Sequence, residues 1–326
     1  MNGDRMTGVV VRAPGGPDVL QVEEMAAPTP AAGGVVVEVE AAGVAFGDVQ
    51  LRQGRLPGKL PVVPGYDVVG RVSAVGPGVR GIAVGQRVAA LTGTGGYATR
   101  AAARADRVVP VPEGLPAASV VALVLNYLTA WQMLHRAAAV RPGGSVLVLG
   151  AAGGVGSALV ELAARDGIRV YGTASPRRHA ALTAAGVTVV ADQTAVPEPV
   201  DAVFDSVGGP SLAVSRRAAK PTGVVVGYGM SFAIAADLSK AGGLVRAVAA
   251  LARAKLTPGP KVVDYLVLSS ADRDPAAFRA DLARLLDLLA EGAVSPVVTT
   301  MPLARAAEAH RLLEARQVVG KLVLVP

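Results

Sequence analysis

The segment Ser145-Val-Leu-Val-Leu-Gly-Ala-Ala-Gly-Gly-Val-Gly156 constrains this chain more than any other. A run of strand formers, Ser145 to Leu149, leads straight into a glycine-rich turn and then a helical pattern. A strand without polar alternation suits burial on both faces, as in a parallel sheet. Glycine serves such a turn where backbone must approach a phosphate, or where a helix crosses the strand too closely for a Cβ. Gly153 and Gly156 fit the second and third positions of a dinucleotide fingerprint, and Ala151 stands at the first. The first N–H groups of the helix then face the phosphates at its positive dipole end. Tight strand-to-helix turns also use glycine for steric reasons alone, so the motif needs its context.

The context is an alternation of strands and helices. Before the motif lies a helix predicted over Ala118 to Ala138. After it come helix Val155 to Asp166, strand Ile168 to Thr173, helix Arg177 to Ala185 and strand Val187 to Val190. Strand Ala202 to Asp205, helix Pro210 to Ala219 and strand Gly223 to Val226 continue the series. Alternation of this kind implies parallel strands joined by right-handed crossovers. The first hundred residues read differently: short Val-rich runs at 9–11, 35–39, 68–75, 87–91 and 108–109, punctuated by Gly and Pro, predict a small twisted β unit. Past Tyr228 the pattern gives a helix near Gly243 to Ala254, a strand over Lys261 to Leu268, helices Pro275 to Glu291 and Leu303 to Ala315, and a strand Lys321 to Val325. That tail is expected to rejoin the first domain. There are no internal repeats.

About twenty residues beyond the glycine turn, the second strand ends in Gly172-Thr-Ala-Ser-Pro-Arg-Arg-His179. A site for NAD places Asp or Glu here to bind the ribose hydroxyls. This chain has Thr173, Ser175, Arg177 and Arg178 instead, which suits the 2′-phosphate of NADP: hydroxyl donors plus a guanidinium fork. The alternative is that both arginines merely solvate the start of a helix.

Composition excludes other classes. Of 326 residues, 52% are hydrophobic and 17% charged, enough for two packed domains and too apolar for a disordered chain. The net charge of +7 comes mainly from scattered arginines, with no basic block or aromatic interleaving, so nucleic acid is not an expected partner. The absence of cysteine removes disulfides, thiol nucleophiles and thiolate metal sites. Met1 to Arg12 has no long apolar core and no window holds about 18 uninterrupted apolar residues, so neither a signal peptide nor a membrane span is expected, and the cytoplasm is the default.

Nearly the full length resembles the zinc-independent quinone oxidoreductase branch of the medium-chain dehydrogenase/reductase superfamily, particularly the group of ζ-crystallin and the vesicle amine transport protein 1 homologues. The resemblance rests on Gly43-Val-Ala-Phe-Gly-Asp48, Pro64-Gly-Tyr-Asp-Val-Val-Gly70, Gly85-Gln-Arg-Val88, Leu125-Asn-Tyr-Leu-Thr-Ala130, Ala151-Ala-Gly-Gly-Val-Gly156, Tyr171-Gly-Thr-Ala-Ser175, Phe204-Asp-Ser-Val-Gly-Gly209, Gly227-Tyr-Gly-Met230 and Val319-Gly-Lys-Leu-Val-Leu-Val-Pro326. It implies an α/β protein: a GroES-like β-rich catalytic domain from residues 1–120 and 258–326, and a Rossmann domain, a doubly wound parallel sheet, from residues 121–257. It further implies NADPH in the cleft between them, and a homodimer formed through edge strands near Lys261 to Leu268. Carried over by position, Ala152, Gly153, Gly154, Val155 and Gly156 would hold the pyrophosphate. Thr173, Ser175 and Arg178 would meet the 2′-phosphate, Thr129 would reach the nicotinamide end, and Tyr228, Gly229 and Met230 would line the cofactor.

The same resemblance shows what is missing. Zinc alcohol dehydrogenases of the superfamily place a Cys ligand where this chain has Ala45 and a His-Glu pair where it has Tyr66-Asp67, and the four-cysteine lobe has no counterpart within Arg87 to Val109. His135, His179 and His310 fall on separate predicted helices, so no zinc or other metal is expected. Without a Lewis acid the reaction must suit a bare hydride donor: a quinone, or a C=C conjugated to carbonyl, in a hydrophobic small molecule. The pocket would include Ala45, Phe46, Leu56, Tyr66 and Asn126. Many quinone reductases carry Asn at the Ala45 position, and enoyl-thioester reductases tend to carry Tyr at that of Leu56. Tyr66 is the substitute proton or hydrogen-bond donor, or else a core-lining Tyr; Asp48 is an orienting residue behind the site, or else a structural turn residue. Trp131 reads as packing. Two rival readings follow from the altered positions: a biosynthetic enzyme on the same fold (a trans-acting enoyl reductase, or a cyclase or isomerase with non-redox or no cofactor use), and a non-enzymatic nucleotide-binding protein.

Overall fold

The computed structural model describes residues 4–56, 58–229 and 258–326. The chain divides into two compact units, one of residues 1–128 and 267–326 and the other of residues 129–266. The family resemblance implies boundaries at 120/121 and 257/258. The first boundary lies inside one continuous helix, Ala117–Ala137, so no composition shift marks it.

The first unit is a β structure. Its strands are β1 (Arg5–Val11), β2 (Leu20–Ala26), β3 (Gly34–Val44), β4 (Asp67–Val75), β5 (Arg87–Leu91), β6 (Arg100–Arg104) and β7 (Val108–Pro110). β1 and β2 form an antiparallel ribbon. The long β3 pairs with β4 on one side and, along different stretches, with β6 and the C-terminal strand on the other. Its residues Val35, Val37 and Val39 join the core with Val9, Val68, Val88 and Leu324, and Val36 and Ala41 on the opposite face are buried as well. β2, Ala-rich β6 and the helix Phe46–Arg52 are not evident from the sequence pattern.

The second unit holds β8 (Ser145–Leu149), β9 (Arg169–Thr173), β10 (Thr188–Val189), β11 (Val200–Asp205), β12 (Ala219–Tyr228) and β13 (Lys261–Tyr265). All pairings are parallel and the order is β10-β9-β8-β11-β12-β13. Numbered within this sheet the order is 3-2-1-4-5-6, the dinucleotide-binding arrangement, with its switch point between β8 and β11. All five residues of β8 are buried, as a central parallel strand requires. The strand expected over Lys261 to Leu268 stops at Tyr265, and Val267–Arg273 is helical; an apolar run of that length carries no period that separates the two states. The helix expected near Gly243 to Ala254 lies outside the described residues.

The tail returns to the first unit, as the sequence suggests. Helix Pro275–Ala290 is followed by β14 (Val298–Pro302), the helix Ala306–Glu314 and β15 (Lys321–Val325), and β15 pairs antiparallel with β3 while β14 pairs parallel with β15. This return places the Lys321 ammonium, itself buried, 2.8 Å from Oδ2 of the fully buried Asp67. Gly43 makes room for the pair: a Cβ there would lie 2.3 Å from the Asp67 carboxylate and 2.4 Å from Lys321 Cε.

The helix Ala117–Ala137 is long and apolar enough to cross a membrane by length and composition, but 72% of its most apolar window is buried inside the protein. It contains two π-helical stretches, Leu123–Tyr127 and Met133–Ala137, where the sequence predicts a plain helix. Widened turns of this kind recur at functional sites, and Asn126, Thr129 and Gln132 are buried polar residues along it.

Removing one member of the buried Asp67–Lys321 pair leaves a charge without a partner. Lys321→Met is expected to cost about 3–5 kcal/mol of unfolding free energy, and the double variant Lys321→Met, Asp67→Leu to recover most of it. Urea denaturation of the three proteins checks this.

Candidate active site

The glycine turn of the second unit is built on a close crossing. Gly150 ends β8 with φ +71°, and its N–H donates to Thr173 Oγ1 at 3.2 Å while Ala151 N–H donates to the Thr173 carbonyl at 3.0 Å. Gly153 N–H returns to the Gly150 carbonyl at 2.9 Å, and the helix Gly154–Arg165 begins there. A Cβ on Gly156 would sit 2.2 Å from the Gly150 carbonyl oxygen and 2.9 Å from Ala151 Cα, so only glycine permits this crossing. The alanine that departs from the fingerprint is accommodated across the turn: a Cβ on Gly172 would lie 2.9 Å from the Ala151 methyl. The first N–H groups of the helix have no intrahelical acceptor. Ala152, Gly154 and Val155 are half-buried beside them and Gly153 is exposed.

At the end of β9, Thr173 braces the turn with its hydroxyl oxygen, Ser175 is exposed, and Arg178 is half-buried one turn further on, its backbone N–H donating to the Ser175 carbonyl. A cavity of about 400 Å³ opens at the carboxyl ends of the strands, lined by Leu149, Thr173, Asp192, Gln193, Val207 and Ser211 among others. Its far wall is fixed by the fully buried Asp205, which accepts hydrogen bonds from Val207 N, Gly208 N and Ser215 Oγ at 2.7–2.9 Å. Ser206 Oγ donates to the Leu149 carbonyl at 3.0 Å and ties the β11 loop to β8 at the switch point. Of these, sequence reasoning names only Thr173; the Asp205-Ser-Val-Gly-Gly209 run is visible as a motif but carries no assigned role. Tyr228 is buried with its hydroxyl on Ser206, and burial keeps the phenol protonated by pushing its pKa up. Gly229 follows with φ +70°, and Met230 lies outside the described residues.

In the first unit, Ala45 to Asp48 open the short helix Phe46–Arg52. Asp48 is fully buried. Its Oδ2 accepts the Ala45 N–H at 2.8 Å and the Tyr97 hydroxyl at 3.0 Å, and its Oδ1 accepts the Gly65 N–H at 2.8 Å. Burial pushes this carboxyl up to about 7 despite the two backbone donors. A group so occupied holds two segments together. One of those segments carries Tyr66, whose half-buried ring lies against the turn: a Cβ on Gly47 would be 3.0 Å from the tip of the phenol. Burial, and secondarily the charge of Asp48, raise the Tyr66 pKa, so its hydroxyl remains a donor at neutral pH. Ala45 is half-buried, Phe46 is 50% exposed at the tip of the turn, and Leu56 is half-buried after the helix. Asn126 is buried on the helix Ala117–Ala137.

Two residues here are not found from the sequence. Tyr97 and His310 are fully buried, and the Tyr97 oxygen lies 3.1 Å from His310 Nε2. Position 310 is 213 residues from 97, and no local pattern joins them. Trp131 packs its ring on His135 at 4.0 Å, and His135 in turn contacts Asp166 at 2.7 Å, a packed surface cluster. Among the described residues no group of three or more His, Cys, Asp or Glu side chains is placed to hold a metal ion.

Comparison with known proteins agrees with this fold. Residues 31–113 match the alcohol dehydrogenase GroES-like domain and residues 180–324 the zinc-binding dehydrogenase domain. The chain belongs to the medium-chain dehydrogenase/reductase superfamily of oxidoreductases, in the zinc-independent quinone oxidoreductase branch. It is 34% identical over 328 residues to the human synaptic vesicle membrane protein VAT-1 homolog, spanning 94% of this chain and 82% of that protein. It is also 34% identical over 327 residues to a phenolphthiocerol/phthiocerol polyketide synthase component of Mycobacterium tuberculosis, spanning 95% of this chain and 14% of that one. The Escherichia coli quinone oxidoreductase complexed with NADPH superposes with a TM-score of 0.82 at 25% identity, over 98% of this chain and all of that one.

The raised Asp48 carboxyl has a consequence for stability. A carboxyl whose folded pKa exceeds its unfolded value of 3.8 contributes stability that is complete below that value and is lost as pH rises toward about 7. Asp48→Asn is therefore expected to flatten the fall in melting temperature across that window relative to the unmodified protein, whatever its effect on absolute stability. Thermal unfolding at a series of pH values reads the slope directly.

Proposed function

We propose that this protein is an NADPH-dependent reductase that delivers hydride, without a metal, to a quinone or to a C=C conjugated with a carbonyl. The observation that carries the cofactor choice is the end of β9: Thr173, Ser175 and Arg178 stand where a carboxylate would bind an unphosphorylated ribose. The Cβ-free crossing of Gly156 over Gly150 supports a pyrophosphate bound along Gly153 to Gly156. When bound, the coenzyme supplies the hydride; the protein's part is to bind, orient and stabilise.

Several features of the first unit support a metal-free reaction. Ala45 and Tyr66 offer no ligand at two positions where zinc enzymes have one, and the remaining carboxylate, Asp67, is engaged by the Lys321 ammonium at 2.8 Å. That donor set does not fit zinc. Tyr66 is instead assigned the stabilisation of the developing oxyanion, as a phenol kept protonated by its surroundings. Asp48 is a positioning residue behind it. Phe46, 50% exposed, and Leu60, 36% exposed, supply apolar surface for a hydrophobic acceptor.

The assembly is proposed to be a homodimer using β13, which lies at the sheet edge among the described residues, and the compartment is proposed to be the cytoplasm. One observation favours a second reading. The similarity to a polyketide synthase component over nearly the whole chain supports reduction of an enoyl thioester on a biosynthetic partner. Turnover of a crotonyl-thioester but of no quinone or free enone would select it.

NADPH is expected to bind at least about tenfold more tightly than NADH, and Arg178→Ala to remove about 10- to 100-fold of NADPH affinity with little effect on NADH. Fluorescence titration with both coenzymes checks this, and an equal loss for both would sink the 2′-phosphate assignment. Tyr66→Phe is expected to lower kcat for an enone about 100-fold with nucleotide affinity preserved.

A further inference from the structure

The polar chain buried beneath the Ala45–Asp48 turn has a property that its members separately lack. The Tyr97 hydroxyl lies between Asp48 Oδ2 at 3.0 Å and His310 Nε2 at 3.1 Å, and it has one proton to give. When Asp48 is anionic, Tyr97 donates to the carboxylate and His310 must present Nε2–H to the phenol oxygen. When Asp48 carries a proton on Oδ2, it donates to Tyr97, Tyr97 donates to Nε2, and the imidazole proton resides on Nδ1. The whole chain thus reverses direction, while no ion is formed at His310. The rings meet edge to face at 5.8 Å and 85° inside the core, a preferred arrangement for such a pair.

The surroundings set the balance between the two states. His310 Nδ1 is buried and has no hydrogen-bond partner among the described residues, so the Nδ1–H tautomer leaves a donor unpaired and is adopted only when the proton on Asp48 requires it. Burial and the nearby Arg52 guanidinium push His310 down to about 3, which leaves the neutral ring, and hence its tautomer, as the variable. The charged and titratable groups facing Asp48 are Arg52 on its own helix, Tyr66 and Asp67 at the start of β4, Tyr97 before β6, His310 on the Ala306–Glu314 helix and Lys321 on β15. Arg52 is held through Nη2 by Glu314 at 2.6 Å, its Nε and Nη1 having no hydrogen-bond partner among the described residues, and Lys321 is held by Asp67 at 2.8 Å.

We propose that Tyr97 and His310 are positioning residues which, through a hydrogen-bond chain that reverses with the proton on Asp48, set how firmly the Ala45 and Gly65 backbone holds Phe46 and Tyr66 for substrate. The anionic carboxylate gives charge-assisted bonds to both N–H groups, and the neutral acid gives weaker ones. The inference rests on reading Phe46 and Tyr66 as the substrate side of the enzyme.

Two measurements test it separately. In protein labelled with 15N-histidine, His310 (one of three histidines, assigned by its loss in His310→Leu) is expected to move from the Nδ1–H to the Nε2–H tautomer as pH rises through neutrality, without passing through the cation. A single tautomer across that range overturns the relay whether or not the enzyme reduces enones. The second measurement is steady-state kinetics of Tyr97→Phe with a conjugated enone. The KM is expected to rise about tenfold with kcat within about twofold, and the acid limb of kcat/KM to move up by about one to two pH units, since Asp48 has lost a donor to its charged form. An unchanged KM and pH profile in an active Tyr97→Phe enzyme overturns the positioning role. A wild-type protein that reduces no acceptor but shows the tautomer change refutes the proposed function and the positioning role together, leaving the relay intact. Should Tyr97→Phe fail to fold, the acid limb of wild-type KM, expected to coincide with the tautomer midpoint, decides the same point.

Discussion

The second unit depends on a single close contact, the passage of Gly156 over the Gly150 carbonyl. With no Cβ to intervene, the helix Gly154–Arg165 sits directly on the end of β8 and directs its first N–H groups past the turn. Every other feature of that end of the sheet adapts to this contact. Thr173 holds Gly150 and Ala151 from β9, Ser206 holds Leu149 from β11, and Gly172 gives way to the Ala151 methyl. The dipole of a helix end is worth only about 0.3–1 kcal/mol toward an anion. On the proposed function its value comes from several backbone donors fixed in one place before the coenzyme arrives.

The first unit solves a different problem, the burial of charge. Asp48, Asp67 and Lys321 are almost fully enclosed near one another, with Arg52, Tyr97 and His310 buried beside them. Asp67 has a cation at 2.8 Å, whereas Asp48 has only dipoles: two backbone N–H groups and a phenol. Desolvation outweighs those dipoles, which is why the unpaired carboxyl titrates near neutrality. The same feature that makes Asp48 costly makes it responsive, because a group poised near neutral pH changes state for a small change in its surroundings.

The periodic and the punctuated elements are legible in the sequence. β5, β8 and β15 can be read to the residue, since each is a short apolar run between turn formers. The return of the tail and the parallel sheet of the second unit are also accessible, through the alternation of strands and helices and the glycine motif. What stays hidden has tertiary causes. β6 is Arg-Ala-Ala-Ala-Arg, a sequence with no strand propensity that is a strand because β3 offers it a partner. The helix Phe46–Arg52 spans under two turns and exists because Asp48 caps it. For the site, the backbone-borne part is readable, since Gly and Ser/Thr/Arg patterns are local, while the Asp48–Tyr97–His310 chain joins three segments with no shared period.

The absence of zinc ligands in this chain is more than a set of deletions. In an enzyme that polarises a carbonyl with a metal, the residue after the ligand must tolerate a dication nearby. Here that residue, Asp67, is neutralised from the far end of the chain by Lys321, and Gly43 lacks the Cβ that would part them. A divalent ion brought to Tyr66 and Ala45 would meet no ligand and a lysine ammonium already in possession of the carboxylate. On the proposed function the electrostatic work falls to a group that carries no net charge, the protonated phenol of Tyr66. Such a group stabilises an oxyanion enough for an acceptor already activated by conjugation, and too little for an isolated ketone or an alcohol. The proposed acceptor class follows from that limit.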